Sequence, residues 1–244
     1  MSFSLFCLLI GIGVSSANFL NHCNRDKCSD LSPADELKKI NFLPDEDDLK
    51  RLCPDVLKFI DCEYDNIKDC NGVGIEELAM SPNKSVAMLS SLLLNVGSLA
   101  AEVCDEDTLM HQEFIASVDC FREYFPNNQD NECVKESREL ALGFYESLNV
   151  PEDDEEIVEL VSCLETPLEI ACDAHNLQKV CGQSARATLV KIVGRIKPFV
   201  NHRCPSAPED LENLKNSFFE YAKLADEQHE IYRSVLDELV KRRR

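Results

Sequence analysis

Tryptophan is absent from this 244-residue chain, and aromatic residues make up only 7% of it. A core must therefore rest on Leu, Val, Ile and Phe. Positive charge is also in short supply: 25 Lys and Arg stand against 45 Asp and Glu, for a net charge of −20. So acidic a body repels nucleic acid and anionic membrane surfaces, and the charge keeps it soluble. Glycine is scarce, at 8 residues, and no run alternates apolar with polar residues as a half-buried strand would. Past the N-terminus no stretch reaches the eighteen or more apolar residues of a membrane helix, so no membrane anchor is expected.

Chemistry-bearing motifs are missing as well. There is no Cys-x-x-Cys, and Cys23 and Cys28, five apart, have no second pair at zinc spacing. His22, His111, His175, His202 and His229 never fall at i,i+4. No Gly-x-Ser-x-Gly elbow or phosphate-cradling glycine loop appears. Cys172 and His175 are spaced as a nucleophile and base could be, but a structural disulfide is the plainer role for Cys172. Two acidic clusters, Asp45 to Asp48 and Glu152 to Glu156, suggest calcium at first sight. Each directly follows a proline, and acids in a first turn favour the positive end of a helix dipole. Neither has the spaced ligands of an EF-hand loop. No catalytic residue, metal ligand or cofactor is predicted. The basic end, Lys241 to Arg244, complements a helix C-terminus.

What is present is helix and cysteine. Leu5 to Val14 is a short apolar run, and Ser15 and Ala17 are small residues at signal-peptidase positions. Residues 1–17 are expected to be a signal peptide, and the mature chain to be secreted. Val86, Leu89, Leu92, Leu93, Val96, Leu99, Ala100 and Val103 recur three and four apart, behind a start signal at Ser81-Pro82. Leu189, Ile192, Val193, Ile196 and Val200 repeat the pattern, and Ser32-Pro33 begins a shorter helix before Leu37 and Ile40. From Glu209 a third stripe runs through Leu214, Phe218, Tyr221, Tyr232, Leu236 and Leu239. The expectation is an all-α protein, with a cysteine-rich helical domain over 18–205 and a long C-terminal amphipathic helix over 206–244.

Of the 13 cysteines, Cys7 would leave with the signal peptide, and the remaining twelve are even in number, as a disulfide framework requires. Cys53, Cys62 and Cys70 form a ladder that Cys163, Cys172 and Cys181 repeat about 110 residues later. In each copy a helix carries the ladder and a second helix runs onward, to Cys104 or to Cys204. A helix of that length separates Cys181 from Cys204 by about 30 Å, too far for a bond. Folded back as hairpins, the copies bring together Cys53 with Cys104, and Cys163 with Cys204. A fainter echo at Ala116 to Cys133 suggests a third copy. Spacing does not pair Cys23, Cys28, Cys62, Cys70, Cys120, Cys133, Cys172 and Cys181. Cysteines eight or nine apart on one straight helix are about 12–14 Å apart, so these must bridge units or sit at helix breaks. Asn83-Lys84-Ser85 is an N-glycosylation acceptor.

The Cys53-Pro54 opening, "FIDCEYDNIKDC", "AAEVCDEDTLMHQEFIASVDC" and "VSCLETPLEIACDAHNLQKVC" followed by "VKIVGRIKPFVNHRCP" resemble the 27 kDa hemolymph glycoprotein family of arthropods. The likeness spans roughly Cys23 to Pro205 and lies in cysteine spacing and helix pattern. It implies a secreted, helical, disulfide-rich glycoprotein with no established activity, and it brings no catalytic residues. The reading is a secreted, non-enzymatic extracellular glycoprotein of hemolymph type whose precise role the sequence does not name, with carriage of a small apolar ligand between stapled helices as one use such a frame allows. The plainer alternative is that the same stripes pack a solid core. A gland-secreted venom or silk-associated component acting through its surface is the other reading.

Overall fold

Every regular element among the described residues is helical, as the three- and four-residue apolar spacings require. The computed structural model describes residues 23–24, 26–127, 132–149, 155–196 and 208–240, and no strand occurs among them. The expected signal peptide and the basic end at 241–244 lie outside the described residues. The chain divides into two compact units, Phe3–Pro126 and Asn127–Arg244.

The first unit holds α1 (Ala34–Lys39), α2 (Glu46–Asn71), α3 (Ile75–Leu78), α4 (Lys84–Cys104) and α5 (Leu109–Asn127), after a 3-10 turn at Ser29–Leu31. The first acidic cluster does start a helix. The Asp45 side chain accepts from the Asp48 backbone N–H at 2.9 Å, and the Asp48 side chain accepts from that of Asp45. This reciprocal pair satisfies two donors that an α-helix leaves open at its start. Gly72 ends α2 at φ 75, a conformation that is cheap only for glycine. The start of α4 differs from expectation. Asn83, not Ser81, is the cap: its Oδ1 accepts from Ser85 N at 3.1 Å and Val86 N at 3.2 Å. Ser81 Oγ accepts from Asn83 N instead, and Pro82 lies in the preceding turn.

No charged residue interrupts α4 between Ser85 and Ala101. With 21 residues and a mean hydropathy of 1.6, it is long and apolar enough to cross a membrane, although Ser90, Ser91, Asn95 and Ser98 interrupt its apolar run. Here it packs against α2 and α3. Gly97 permits the close approach, because a Cβ there would stand 2.0 Å from Tyr64 Oη. Tyr64 donates to the Leu93 carbonyl at 3.0 Å, and burial pushes its pKa up to about 12.

The second unit holds α6 (Glu132–Ser147), α7 (Glu155–Arg195), α8 (Pro208–Ala222) and α9 (Asp226–Val240). Helix α7 breaks at Gly182, with φ 83 and ψ 176, a region essentially reserved for glycine. Helices α6 and α9 both pack on α7. Phe144 of α6 meets Phe218 of α8 edge to face at 5.6 Å. Tyr232 of α9, fully buried, donates to Glu136 of α6 at 3.1 Å.

Three expectations change. The C-terminal tail is two helices, because Lys223 takes a positive φ of 44 and α9 folds back on α8. Buried Lys215 of α8 then pairs with Asp237 of α9 at 2.5 Å. A single straight helix would have left much of its long apolar stripe without a partner. Nor is this tail separate from a domain over 18–205: it completes the core of the second unit, and the division falls after Pro126. The echo at Ala116 to Cys133 straddles that division, with Cys120 on α5 and Cys133 on α6, so it is not a third hairpin.

Candidate apolar site in the first unit

The disulfides build the site's frame. Cys53 is bonded to Cys104 with Cα atoms 5.5 Å apart, the pair expected where α4 returns beside the start of α2. The other two rungs of the first ladder take partners from the segment before α1: Cys23 with Cys70, and Cys28 with Cys62. In the second unit Cys172 pairs with Cys133. The middle rung of each ladder thus bonds a cysteine upstream of its own helix, a rule that spacing alone did not show. Cys120 and Cys181 are also disulfide-bonded. Cys163 is buried, and its expected partner Cys204 lies outside the described residues. Since Cys172 is oxidised, it offers no thiol to His175, whose pKa burial lowers. Among the described residues, no group of three His, Cys, Asp or Glu is placed to hold a metal.

Against the Cys53–Cys104 bond lies an apolar pocket of about 80 Å³. Its walls come from α1 (Leu37), α2 (Leu49, Leu52, Val56), α4 (Val96, Leu99) and the buried ring of Phe114 on α5, and the α1–α2 loop adds Phe42 and Pro44. Every lining side chain is aliphatic, aromatic or disulfide sulfur. Such a wall offers an occupant dispersion and release from water, and no hydrogen bond to orient it.

The loop that closes one side is unusual. Phe42, Leu43 and Pro44 are buried, although connecting segments ordinarily run over the surface. Their backbone groups therefore need internal partners. Phe42 N–H donates to the Leu37 carbonyl at 2.7 Å, and Asn41 N–H to that of Lys38 at 3.1 Å. Together these form a Schellman motif, with Leu37 and Phe42 packed in one cluster as that motif favours. Asn41 and Phe42 both have positive φ, 54 and 58. Asparagine tolerates this readily, whereas a bulky ring rarely adopts it.

Leu43 N–H donates to the Ile40 carbonyl at 3.1 Å, and Arg122 of α5 serves the Leu43 carbonyl. Its Nε donates to the Leu43 carbonyl at 2.7 Å. Its Nη1 and Nη2 pair with Asp45 at 2.8 Å and Asp48 at 2.9 Å. Asp45 is held below the usual carboxylate range, first by the Asp48 N–H and then by Arg122. Burial works against the Arg122 charge, but the two carboxylates outweigh it and push its pKa up. None of the groups in this clamp lines the apolar pocket. Sequence reading took the acidic cluster as a helix start and gave Arg122 and Phe42 no role. Arg122 lies 77 residues from Asp45, and no local pattern spans that distance.

No protein-family model, curated protein or solved structure matches the chain.

Proposed function

We propose that this is a secreted, non-enzymatic protein whose first unit carries a small apolar ligand in the pocket beside Cys53–Cys104. The observation that carries the reading is the lining: a concave site walled only by apolar groups, on helices tied together by disulfides. The bonded cysteines support an oxidising, extracellular environment, in keeping with the signal-like N-terminus and the hemolymph-glycoprotein resemblance. Asn83 is exposed and caps through Oδ1, while an N-glycan attaches at the amide nitrogen, so cap and glycan are chemically compatible.

Size narrows the cargo. An engineered cavity of about 150 Å³ accepts the six carbons of benzene, so about 80 Å³ accommodates roughly three. At about 0.8 kcal/mol per buried methylene, three contribute about 2.4 kcal/mol. Micromolar affinity needs about 8 kcal/mol. A cargo held that tightly must bury further apolar surface in this unit, and the half-exposed face of α4 lies next to the pocket: only 28% of its most apolar window is buried.

Native mass spectrometry of the protein from its own source fluid, without delipidation, tests the reading. A discrete added mass that leaves on denaturation identifies a cargo. A bare polypeptide mass, altered only by disulfides and a glycan, refutes carriage and leaves a stapled solid core.

A further inference from the structure

The pocket as it stands is too small for a firmly held cargo, and one of its walls is a loop under strain. We propose that the loop between α1 and α2 is the gate of the apolar site, with Phe42 as its door and Arg122 as its latch. The inference rests on the apolar-cargo reading and adds the way the site opens.

Three observations converge on this loop. First, Phe42 is buried in the pocket wall while its backbone has a positive φ. Such a conformation persists only where surrounding contacts over-determine it, and it concentrates at ligand clamps and switch regions. Second, the restraints that hold it are few and nameable: the two Schellman bonds from Asn41 and Phe42, the turn bond from Leu43 N–H to the Ile40 carbonyl, and the Arg122 clamp on Leu43, Asp45 and Asp48. Third, the two ends of the restraint differ in kind. Asp45 caps α2 and Asp48 lies in its first turn, and this helix is tied by disulfides at Cys53, Cys62 and Cys70. The loop itself holds no cysteine. A polar basin of about 380 Å³, lined by Ile40, Asn41, Leu43, Asp45, Asp48 and Arg122, also borders the loop and shares no lining residue with the apolar pocket. When the latch lets go, the loop has open space to enter. Phe42 then leaves the wall, and the volume of its ring is added to the pocket.

Arg122 is a positioning residue here: it touches the gate, not the cargo. The geometry also indicates which substitution opens the latch without undoing the helix start. Asparagine at position 45 keeps a side-chain oxygen for the Asp48 N–H, since Asn caps as well as Asp, but it removes one of the two carboxylates that Arg122 grips.

The test uses the full-length oxidised protein as wild type, Arg122→Gln, Asp45→Asn and Lys50→Gln. The last breaks the exposed Lys50–Glu46 pair on the same helix and leaves the loop alone. Two quantities are read: amide hydrogen exchange at Phe42, and the association rate of naphthalene followed by its fluorescence, a probe whose ten carbons match the roughly nine that the pocket and a displaced phenyl ring would hold. Losing a charge-assisted contact should speed Phe42 exchange by about tenfold or more in the first two variants, with faster probe uptake, and Lys50→Gln should match wild type. If Arg122→Gln does not fold, Asp45→Asn carries the test. Unchanged Phe42 exchange in the latch variants overturns the gate. So does faster exchange with unchanged probe uptake, because the probe then enters elsewhere. Faster exchange with no probe bound by any form supports the latch and overturns the cargo reading.

Discussion

Ala100→Leu should fill the apolar pocket and stabilise the first unit. Ala100 lines the pocket from α4, where leucine is nearly as good a helix former as alanine. Leucine adds three carbons, about the number the 80 Å³ space accommodates. Cavity volume costs about 24 cal/mol per Å³, so an empty space of 80 Å³ represents about 1.9 kcal/mol. Complete filling would recover about that much, less any strain where the new side chain meets Phe114 or Leu52. For a chain of this size each kcal/mol moves Tm by about 2–4 °C, so a rise of about 4–8 °C is the upper bound. Differential scanning calorimetry reads the shift, and titration with an apolar fluorophore reads the loss of the site. Higher Tm with lost probe binding is the expected result. A fall in Tm would mean overpacking, which typically costs about 1–3 kcal/mol, and would refute the claim that this volume is available. A higher Tm with probe binding intact would place the ligand elsewhere.

Other substitutions probe the same unit. Gly97→Ala ordinarily gains about 1 kcal/mol of helix propensity, but here the new Cβ collides with Tyr64 Oη. It should destabilise the unit in urea titrations, and Tyr64→Phe in the same chain should recover part of the loss, as a double-mutant cycle measures. Ser90 is fully buried, and its hydroxyl has no hydrogen-bond partner among the described residues. Ser90→Ala should therefore stabilise by about 1–3 kcal/mol, the cost of an unsatisfied buried group, and a lower urea midpoint would show that the hydroxyl is satisfied. Acid should loosen the gate. Because the folded-state pKa of Asp45 is depressed, its contribution is present above the unfolded value near 3.9 and is lost as pH falls through the lower folded value. Half-buried Glu63, raised by burial, works in the opposite direction. The protection factor of the Asp48 amide should therefore fall as pH drops below about 4, and Asp45→Asn should flatten that dependence.

Local features were legible because they depend on neighbours in the chain. The stripe of α4 announces a helix, and the acids after Pro44 announce a helix start, as the capping box at Asp45 and Asp48 shows. Even Cys53–Cys104 could be reached from sequence, since a hairpin of two helices reduces long-range pairing to a question of length. The cap of α4 was misplaced by two residues because Ser81 and Asn83 are both good caps, and only the backbone path selects Asn83. The tail was read as one helix because Lys223 carries no breaker chemistry; its positive φ exists only because α9 has a core to return to.

The sequence by itself determined that this chain is helical, acidic and cross-linked, because periodicity, charge and cysteine number act over a few residues or over the whole composition. Tertiary structure alone decided the rest. It brought Arg122 across 77 residues to Asp45, set a phenylalanine at positive φ in the wall of an apolar pocket, and chose upstream partners for the middle rungs of both cysteine ladders. Those choices belong to packing: each depends on which surfaces meet once helices form, and no local window of the chain contains both sides of the contact.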